Sequence, residues 1–400
     1  MKKKIAITTG EYPTHGVFTL IKYLALSLNT SADFKKKYNL EIFVFHENFF
    51  MKIKKIIYNC FLIFKNIIFC QNNRIHKHSY SSYEFVNECI SLKNKILLFS
   101  SPEIYNQRKP SLILPLLSPL KYKKCKSIGY IYDLQHLDLP NLFTKKERKF
   151  RSKDFLKTIK KNEKTFINSR YVEKGVINKF KISENKLIKI PFYPYIVDEI
   201  KNIKVITKKK YAIKKNYFII CNRFWKHKNH GIAFEAFSRF LKINQNYQLV
   251  CTGDKSDTRY PEYFNDLKKK YFHLIDNGDI RILGVIPRND QLSLLINSEA
   301  VIQPTLYEGG PGGFSSYEAI AYQKKLVLSN IPINKEIKYN KTLFFNPLSS
   351  KDLFLKLKLI NSKKKVEKNN KKIIELSNYN KIKLGKSLFK VINQIINDKN

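Results

Sequence analysis

Between Glu308 and Glu318 the chain reads EGGPGGFSSYE, with Gly309, Gly310, Gly312 and Gly313 gathered around Pro311. Glycines in such a loop let the backbone come close to a ligand, and N–H groups at the start of a helix attract anions. The two flanking carboxylates are acceptors, suited to the hydroxyls of a polyol. A second cluster is NRFWKHKNH at 222–230, where Arg223 and Lys228 stand five apart. Arginine offers a planar fork and lysine a point charge, so the pair could grip a diphosphate. Thr252-Gly253-Asp254 is a short polar turn, and Gly284-Val285-Ile286-Pro287 a turn whose backbone could pair with a base edge. Towards the N-terminus, YDLQHLDLPNLF carries Asp133 and His136, and GEYPTHG ends on Gly16. Each motif alone has a plain alternative. Glycine loops join strands to helices in every α/β domain, basic loops are common in a basic chain, and Asp133 and His136 could cap a helix after Pro140.

The elements around these motifs favour the chemical reading. Buried strands are expected at Tyr217–Cys221, Gln248–Thr252, Ile280–Leu283, Ala300–Gln303 and Lys325–Ser329, alternating with helices at Gly231–Leu241, Glu262–Tyr271, Asp290–Ile296 and Phe314–Tyr322. Ser315 or Ser316 is placed to cap the last of these helices. This alternation predicts a doubly wound parallel sheet, in which ligands bind beyond the carboxyl ends of the strands. Every motif of the second half sits at such an end. The first half repeats the pattern: strands Lys4–Thr9, Glu41–Phe45, Lys95–Phe99, Ser127–Tyr132, Thr165–Asn168 and Lys186–Ile190, helices Val17–Asn29 and Tyr171–Phe180, and a basic helix from Lys145 on. Prolines and a lysine-rich run between 191 and 215 mark a linker. The expected division is 1–203, 204–378 and a final helix 379–400 that packs back on the first domain, with Asn378-Tyr379-Asn380 as the break before it.

Lys and Arg number 75 against 32 Asp and Glu, a formal charge of +43 over 400 residues. Such a balance suits nucleic acid, phosphorylated substrates or an anionic membrane surface. The lysines are spread along the chain in company with Asn, Ile, Tyr and Phe, as AT-rich coding sequence would produce. Basic residues beside glycines and glutamates at strand ends argue against nucleic acid, because the carboxylates would repel its phosphates. Residues 51–70, MKIKKIIYNCFLIFKNIIFC, are too interrupted by lysine to span a bilayer; they read as a buried helix with a basic edge or as an interfacial segment. MKKKIAITTGEYP holds no long apolar run, so no signal peptide is expected. Cys60, Cys70, Cys89, Cys125, Cys221 and Cys251 show no metal-binding spacing and read as reduced thiols of a cytoplasmic protein.

The second half resembles the donor domain of family 4 glycosyltransferases, of the group 1 type, across most of Tyr217–Ile337; the first half is consistent with the same family. The resemblance implies a GT-B architecture of two Rossmann-like domains across a cleft, and transfer of a hexose with retention from a nucleoside-diphosphate sugar to a glycan or lipid-linked acceptor. It implies that Arg223 and Lys228 hold the diphosphate, Glu308 with Gly309 and Gly310 the hexose, and Glu318 the ribose. Gly253, Val285, Ile286, Gly312, Gly313 and Gly16 would line the donor, with His136 near its sugar and Asp133 beside it. Nine residues separate the two glutamates, a longer loop than is usual in the family. No metal or other cofactor is expected, since no Asp-x-Asp motif is present and fixed cations can meet the leaving diphosphate. A sugar-nucleotide epimerase or phosphorylase of the same fold is the alternative activity. The resemblance places the protein in surface polysaccharide synthesis, at the cytoplasmic face of the inner membrane.

Overall fold

The structure is a computed structural model that describes residues 2–10, 15–46, 94–101, 103–118, 125–197, 208–362 and 370–398. The first sheet holds β1 (Lys3–Thr8), β2 (Tyr38–Phe45), β3 (Lys95–Phe99), β4 (Leu112–Leu116), β5 (Lys126–Ile131), β6 (Lys164–Ile167) and β7 (Leu187–Lys189). Its order is β3-β2-β1-β4-β5-β6-β7, and every pairing is parallel. The second holds β8 (Asn216–Cys221), β9 (Tyr247–Thr252), β10 (Ile280–Gly284), β11 (Ala300–Gln303), β12 (Lys325–Ser329) and β13 (Thr342–Phe345). These run parallel in the order β10-β9-β8-β11-β12-β13. Both sheets reverse their winding beside the first strand, between β1 and β4 and between β8 and β11. Such switch points open a crevice at the carboxyl ends of the strands.

Helices cover both sheets. The first domain carries α1 (His15–Leu28), α2 (Ala32–Lys37), α3 (Ile104–Arg108), α4 (Gln135–Asp138), α5 (Lys145–Lys161) and α6 (Arg170–Phe180). The second carries α7 (His230–Leu241), α8 (Tyr263–Lys270), α9 (Phe272–Asp276), α10 (Arg288–Asn297), α11 (Gly313–Ala321) and α12 (Ser350–Ser362), and α13 (Asn370–Asn397) closes the chain. Phe218, Phe234, Phe237 and Phe240 are fully buried together on one face of the second sheet. Helix α5 begins with a complete capping box: Thr144 Oγ1 accepts from Glu147 N, and Glu147 returns a bond to the Thr144 backbone.

The structure departs from the expectations in specific places. Strand β4 was not expected, because its sequence LILPL holds Pro115, which has no N–H for a ladder. The register with β5 is irregular between Ile113 and Leu116, so the proline falls where pairing lapses. The expected break at Asn378-Tyr379-Asn380 does not occur; α13 runs straight through it. Ser377 Oγ accepts from Ile196 N, and Asn380 Nδ2 donates to the Pro194 carbonyl, so tertiary bonds hold a stretch of modest helix propensity. Leu384, Leu388, Ile392 and Ile395 of α13 complete the core of the first domain. Neither Ser315 nor Ser316 caps α11: both lie inside it, and Gly312 takes the capping position at φ 67°. The segment 51–70, the loop at 11–14, Cys60, Cys70, Cys89 and the linker core at 198–207 lie outside the described residues. Among the described residues no helix is long and apolar enough to cross a membrane. Cys125, Cys221 and Cys251 are free thiols, and burial pushes Cys221 up to about 12.

Candidate active site at the interdomain cleft

The site begins where β8 and β11, neighbours at the switch point, release the chain. After β11, the loop is zipped to the loop after β8: Leu306 N donates to His227 O at 2.7 Å, and Thr305 Oγ1 lies 3.3 Å from the same carbonyl oxygen. Ser329 Oγ, from the end of β12, donates to Thr305 O at 2.6 Å. These bonds set Glu308 beside Lys228, and the two form an ion pair. Both side chains are largely shielded, so each charge depends on the other. Arg223 does not share this pair; its guanidinium lies 5.3 Å from the centre of the Trp225 ring.

Beneath the glycine loop runs a chain of buried amides that sequence reading missed. Asn222 Nδ2 donates to Gln303 Oε1, Gln303 Nε2 donates to Gly312 O at 2.8 Å, and Gly312 N donates to Asn334 Oδ1 at 2.9 Å. Asn222 and Gln303 are polar, buried and at the ends of adjacent strands, and that combination was the available signal. The same bonds correct the picture of an open anion-binding loop: the N–H of Gly312 is already committed, and that of Gly313 donates to Gly310 O. Gly309 is required by contact. A Cβ there would lie 1.9 Å from the Tyr132 carbonyl oxygen, so the loop sits directly on the end of β5. Gly310 faces Asn168 in the same way, with 3.3 Å to its Cβ. Tyr307 fastens the contact by accepting from Leu134 N at 2.8 Å.

The remaining second-domain motifs converge on these strand ends. A Cβ on Gly253, at φ 129°, would meet Asn222 O at 2.2 Å, and Gly253 N donates to Gly284 O at 2.8 Å. Val285 is exposed beyond that turn, while Ile286 packs partly into the core. Glu318, on the second turn of α11, pairs with Arg288 at the start of α10. Arg288 also reaches Gln291, which in turn bonds Thr252 Oγ1. Gly16 is exposed in the first turn of α1.

Across the cleft, Asp133 and His136 have different fates. The Asp133 carboxylate accepts from Arg151 Nη2 at 2.7 Å and from Gln135 N at 3.0 Å. Burial pushes its carboxyl up, and Arg151 pulls it back towards the ionised form. His136 is fully buried, not turned to the cleft. Its Nε2 lies 3.0 Å from Ser152 Oγ, and the ring meets Phe155 and Phe143 edge-on. Burial, helped by Arg151 and Lys179, lowers its pKa to about 4, so the imidazole is neutral at ordinary pH. The short α4 turn carries His136 inward and leaves Asp133 at the junction with Gly309.

Residues 203–376 match the family described as Glycosyl transferases group 1. This chain carries a group 1 glycosyltransferase domain. The matched span contains Arg223, Lys228, Glu308 and Glu318, the whole second-domain side of the cleft. The group 1 domain is that of a transferase enzyme. The O-antigen chain mannosyltransferase RfbU of Salmonella typhimurium is 26% identical over 135 residues, which are 34% of this chain and 35% of that protein. The match thus spans about a third of the length of that curated relative. Among solved structures, a glycosyltransferase from Rickettsia africae superposes with a TM-score of 0.63 at 16% identity, covering 100% of both chains. Anabaena HepE in complex with UDP and glucose gives 0.64 at 10% identity, covering 98% of this chain and 100% of that one. The lipopolysaccharide outer core galactosyltransferase WaaB gives 0.55 at 17% identity, covering 98% and 99%. At these identities the structures establish the fold: group 1 domain and partner domain together form the two-domain GT-B architecture.

Proposed function

We propose that this protein transfers a hexose from a UDP- or GDP-sugar to a glycan or lipid-linked acceptor, with retention, as a family 4 enzyme of surface polysaccharide synthesis. The observation that carries the reading is the ion pair of Lys228 and Glu308, in the loops that follow β8 and β11, where Gly309 seats against Tyr132 and Asp133 of the first domain. Support for the pathway comes from the O-antigen mannosyltransferase and the lipopolysaccharide galactosyltransferase among the similar proteins. Support for the donor class comes from HepE, which holds UDP and glucose.

In this reading the Lys228–Glu308 pair is the resting state of the site. An arriving diphosphate, gripped by Arg223, draws Lys228 to itself and frees the Glu308 carboxylate for hexose hydroxyls. Glu318 exchanges part of its bond to Arg288 for the ribose hydroxyls. As the glycosidic bond breaks, negative charge grows on the leaving diphosphate, and fixed cations stabilise it more than they stabilise the ground state. The protein's own cations do this work, so no divalent metal is required; full turnover in EDTA is the expected result. An anionic membrane surface belongs to the same reading, on the cytoplasmic side. It is supported by Lys145, Lys149, Lys153 and Lys157, exposed in a row along α5.

The deciding experiment is a thermal-shift and calorimetric screen with UDP, GDP, ADP and their common sugars, followed by product analysis with the donor that binds. One nucleoside diphosphate should stabilise the wild type and lose affinity in Lys228→Ala. If no nucleotide binds, or if binding ignores Lys228, the reading is wrong.

A further inference from the structure

Arg288 stands against local preference. It is the first residue of α10, directly after the turn Gly284–Pro287, and a cation at a helix N-terminus opposes the helix dipole. The acid of that first turn, Asp290, does not offset it, because Asp290 is taken by Lys210 and Tyr211. A residue placed against its element is held there by a partner or a task. The partners of Arg288 are on other elements of the site. Its Nη2 donates to Glu318 Oε1 in α11, and its Nη1 donates to Gln291 Oε1 at 3.0 Å. Gln291 Nε2 donates in turn to Thr252 Oγ1, at the end of β9, at 2.9 Å. The two ends of one planar fork are thus engaged, and the guanidinium is fixed in orientation.

Glu318 is held from one side. Among the described residues Arg288 is the one hydrogen-bond and ion-pair partner of its carboxylate; Oε1 is engaged and Oε2 is left unused. The side chains of Arg288 and Glu318 are 19% and 15% exposed, so the carboxylate is shielded but not sealed. A pair that served only to join α10 to α11 would saturate the carboxylate. We infer that Arg288 is a positioning residue: by pinning one oxygen of Glu318 it sets the carboxylate to accept the vicinal hydroxyls of a ribose, and so makes binding specific for a ribonucleotide. This assignment rests on the donor reading, in which Glu318 meets the ribose. One hydroxyl shares Oε1 with Arg288 and the other takes Oε2. Without Arg288, Glu318 is a three-torsion side chain with no other hold, and ordering it would fall on the ligand.

UDP, GDP and ADP are each titrated calorimetrically beside their 2′,3′-dideoxy counterparts, with Lys228→Ala as the control for the donor reading. Wild type should bind the ribonucleotide about tenfold or more tightly than its dideoxy analogue, the effect of losing hydrogen bonds to a charged acceptor. Arg288→Gln should cut that preference to about twofold or less, while dideoxy affinity changes less than about twofold. Arg288→Lys keeps the charge without the fork and should fall between the two; it carries the test if Arg288→Gln does not fold. Glu318→Gln should lose the preference as fully, and the double variant no more than either single one, because both residues act through one carboxylate. Four outcomes overturn the assignment. If no nucleoside diphosphate binds, the donor reading falls and the assignment with it. If binding needs Lys228 but ignores the ribose hydroxyls, the donor reading stands and the assignment falls. If Arg288→Gln weakens ribonucleotide and dideoxy analogue in parallel, Arg288 is a structural tie between α10 and α11. If the losses in the double variant add, Arg288 acts apart from Glu318.

Discussion

Lys228 and Glu308 concentrate the chemistry of this site in one pair, and the cost of removing either should fall on catalysis more than on folding. Truncating one partner strands a shielded charge, a loss of about 1–3 kcal/mol after relaxation towards the cleft. Transition-state stabilisation lost with Lys228 should lower kcat by about two to three orders of magnitude. Glu308→Ala and Lys228→Ala should therefore remain folded by circular dichroism and lose transfer in a donor-turnover assay; near wild-type turnover in either would remove the pair from the site. A second residue-scale consequence concerns acid. His136 takes a proton only near pH 4 in the folded protein, against an ordinary value of 6.5, and His230 only near 3. The unfolded chain binds these protons first, so stability is intact above about pH 6.5 and falls as pH drops towards 4. Urea unfolding at pH 5 should give a free energy lower than at pH 7 by about 2 kcal/mol for each of the two histidines. An unchanged value would mean that neither is buried as a neutral ring.

Elements are held together here by close backbone approach, and glycines mark the places. A Cβ on Gly385 of α13 would lie 2.1 Å from the Ser27 carbonyl oxygen of α1. Alanine is intrinsically the better helix former by about 1 kcal/mol, yet Gly385→Ala should destabilise the protein, because α1 and α13 must separate. Gly309→Ala should behave differently. Its Cβ meets the Tyr132 carbonyl across the domain junction, so the domains shift apart while each keeps its core. The expected signature is a large loss of kcat with a thermal midpoint close to wild type. A midpoint loss as large as that of Gly385→Ala would show that the junction is part of the folding core.

Over the whole molecule, α13 makes the two halves of the chain interdependent. It follows the second domain in sequence and supplies Leu384, Leu388, Ile392 and Ile395 to the core of the first. Burying an aliphatic side chain contributes about 1.5–3 kcal/mol, so loss of the helix should remove an amount comparable with the whole margin of an ordinary domain. A chain ending at residue 369 should lose the first-domain transition in calorimetry and keep the second. Ile331 and Ile333 of the second domain also pack with Ile131, Leu134 and Val172 of the first.

The alternation of apolar strands with amphipathic helices, the place of Arg223, Lys228 and Glu308 in loops after strands, and that of Glu318 in the helix that follows, are written in local sequence. Period and chain geometry decide these, and none needs a distant partner. Pro115 in β4 and the helix through Asn378 ran against local rules and were settled by tertiary partners: an irregular ladder in one case, bonds to Pro194 and Ile196 in the other. His136 and Asp133 look equally available three residues apart, yet one turn of helix buries the ring among Phe143, Phe155 and Ser152 and leaves the carboxylate at the cleft. The pairing of Lys228 with Glu308, the amide chain under the glycine loop and the seat of Gly309 against Tyr132 join residues far apart in sequence. Such contacts depend on how two sheets meet, and spacing along one chain carries no measure of that distance.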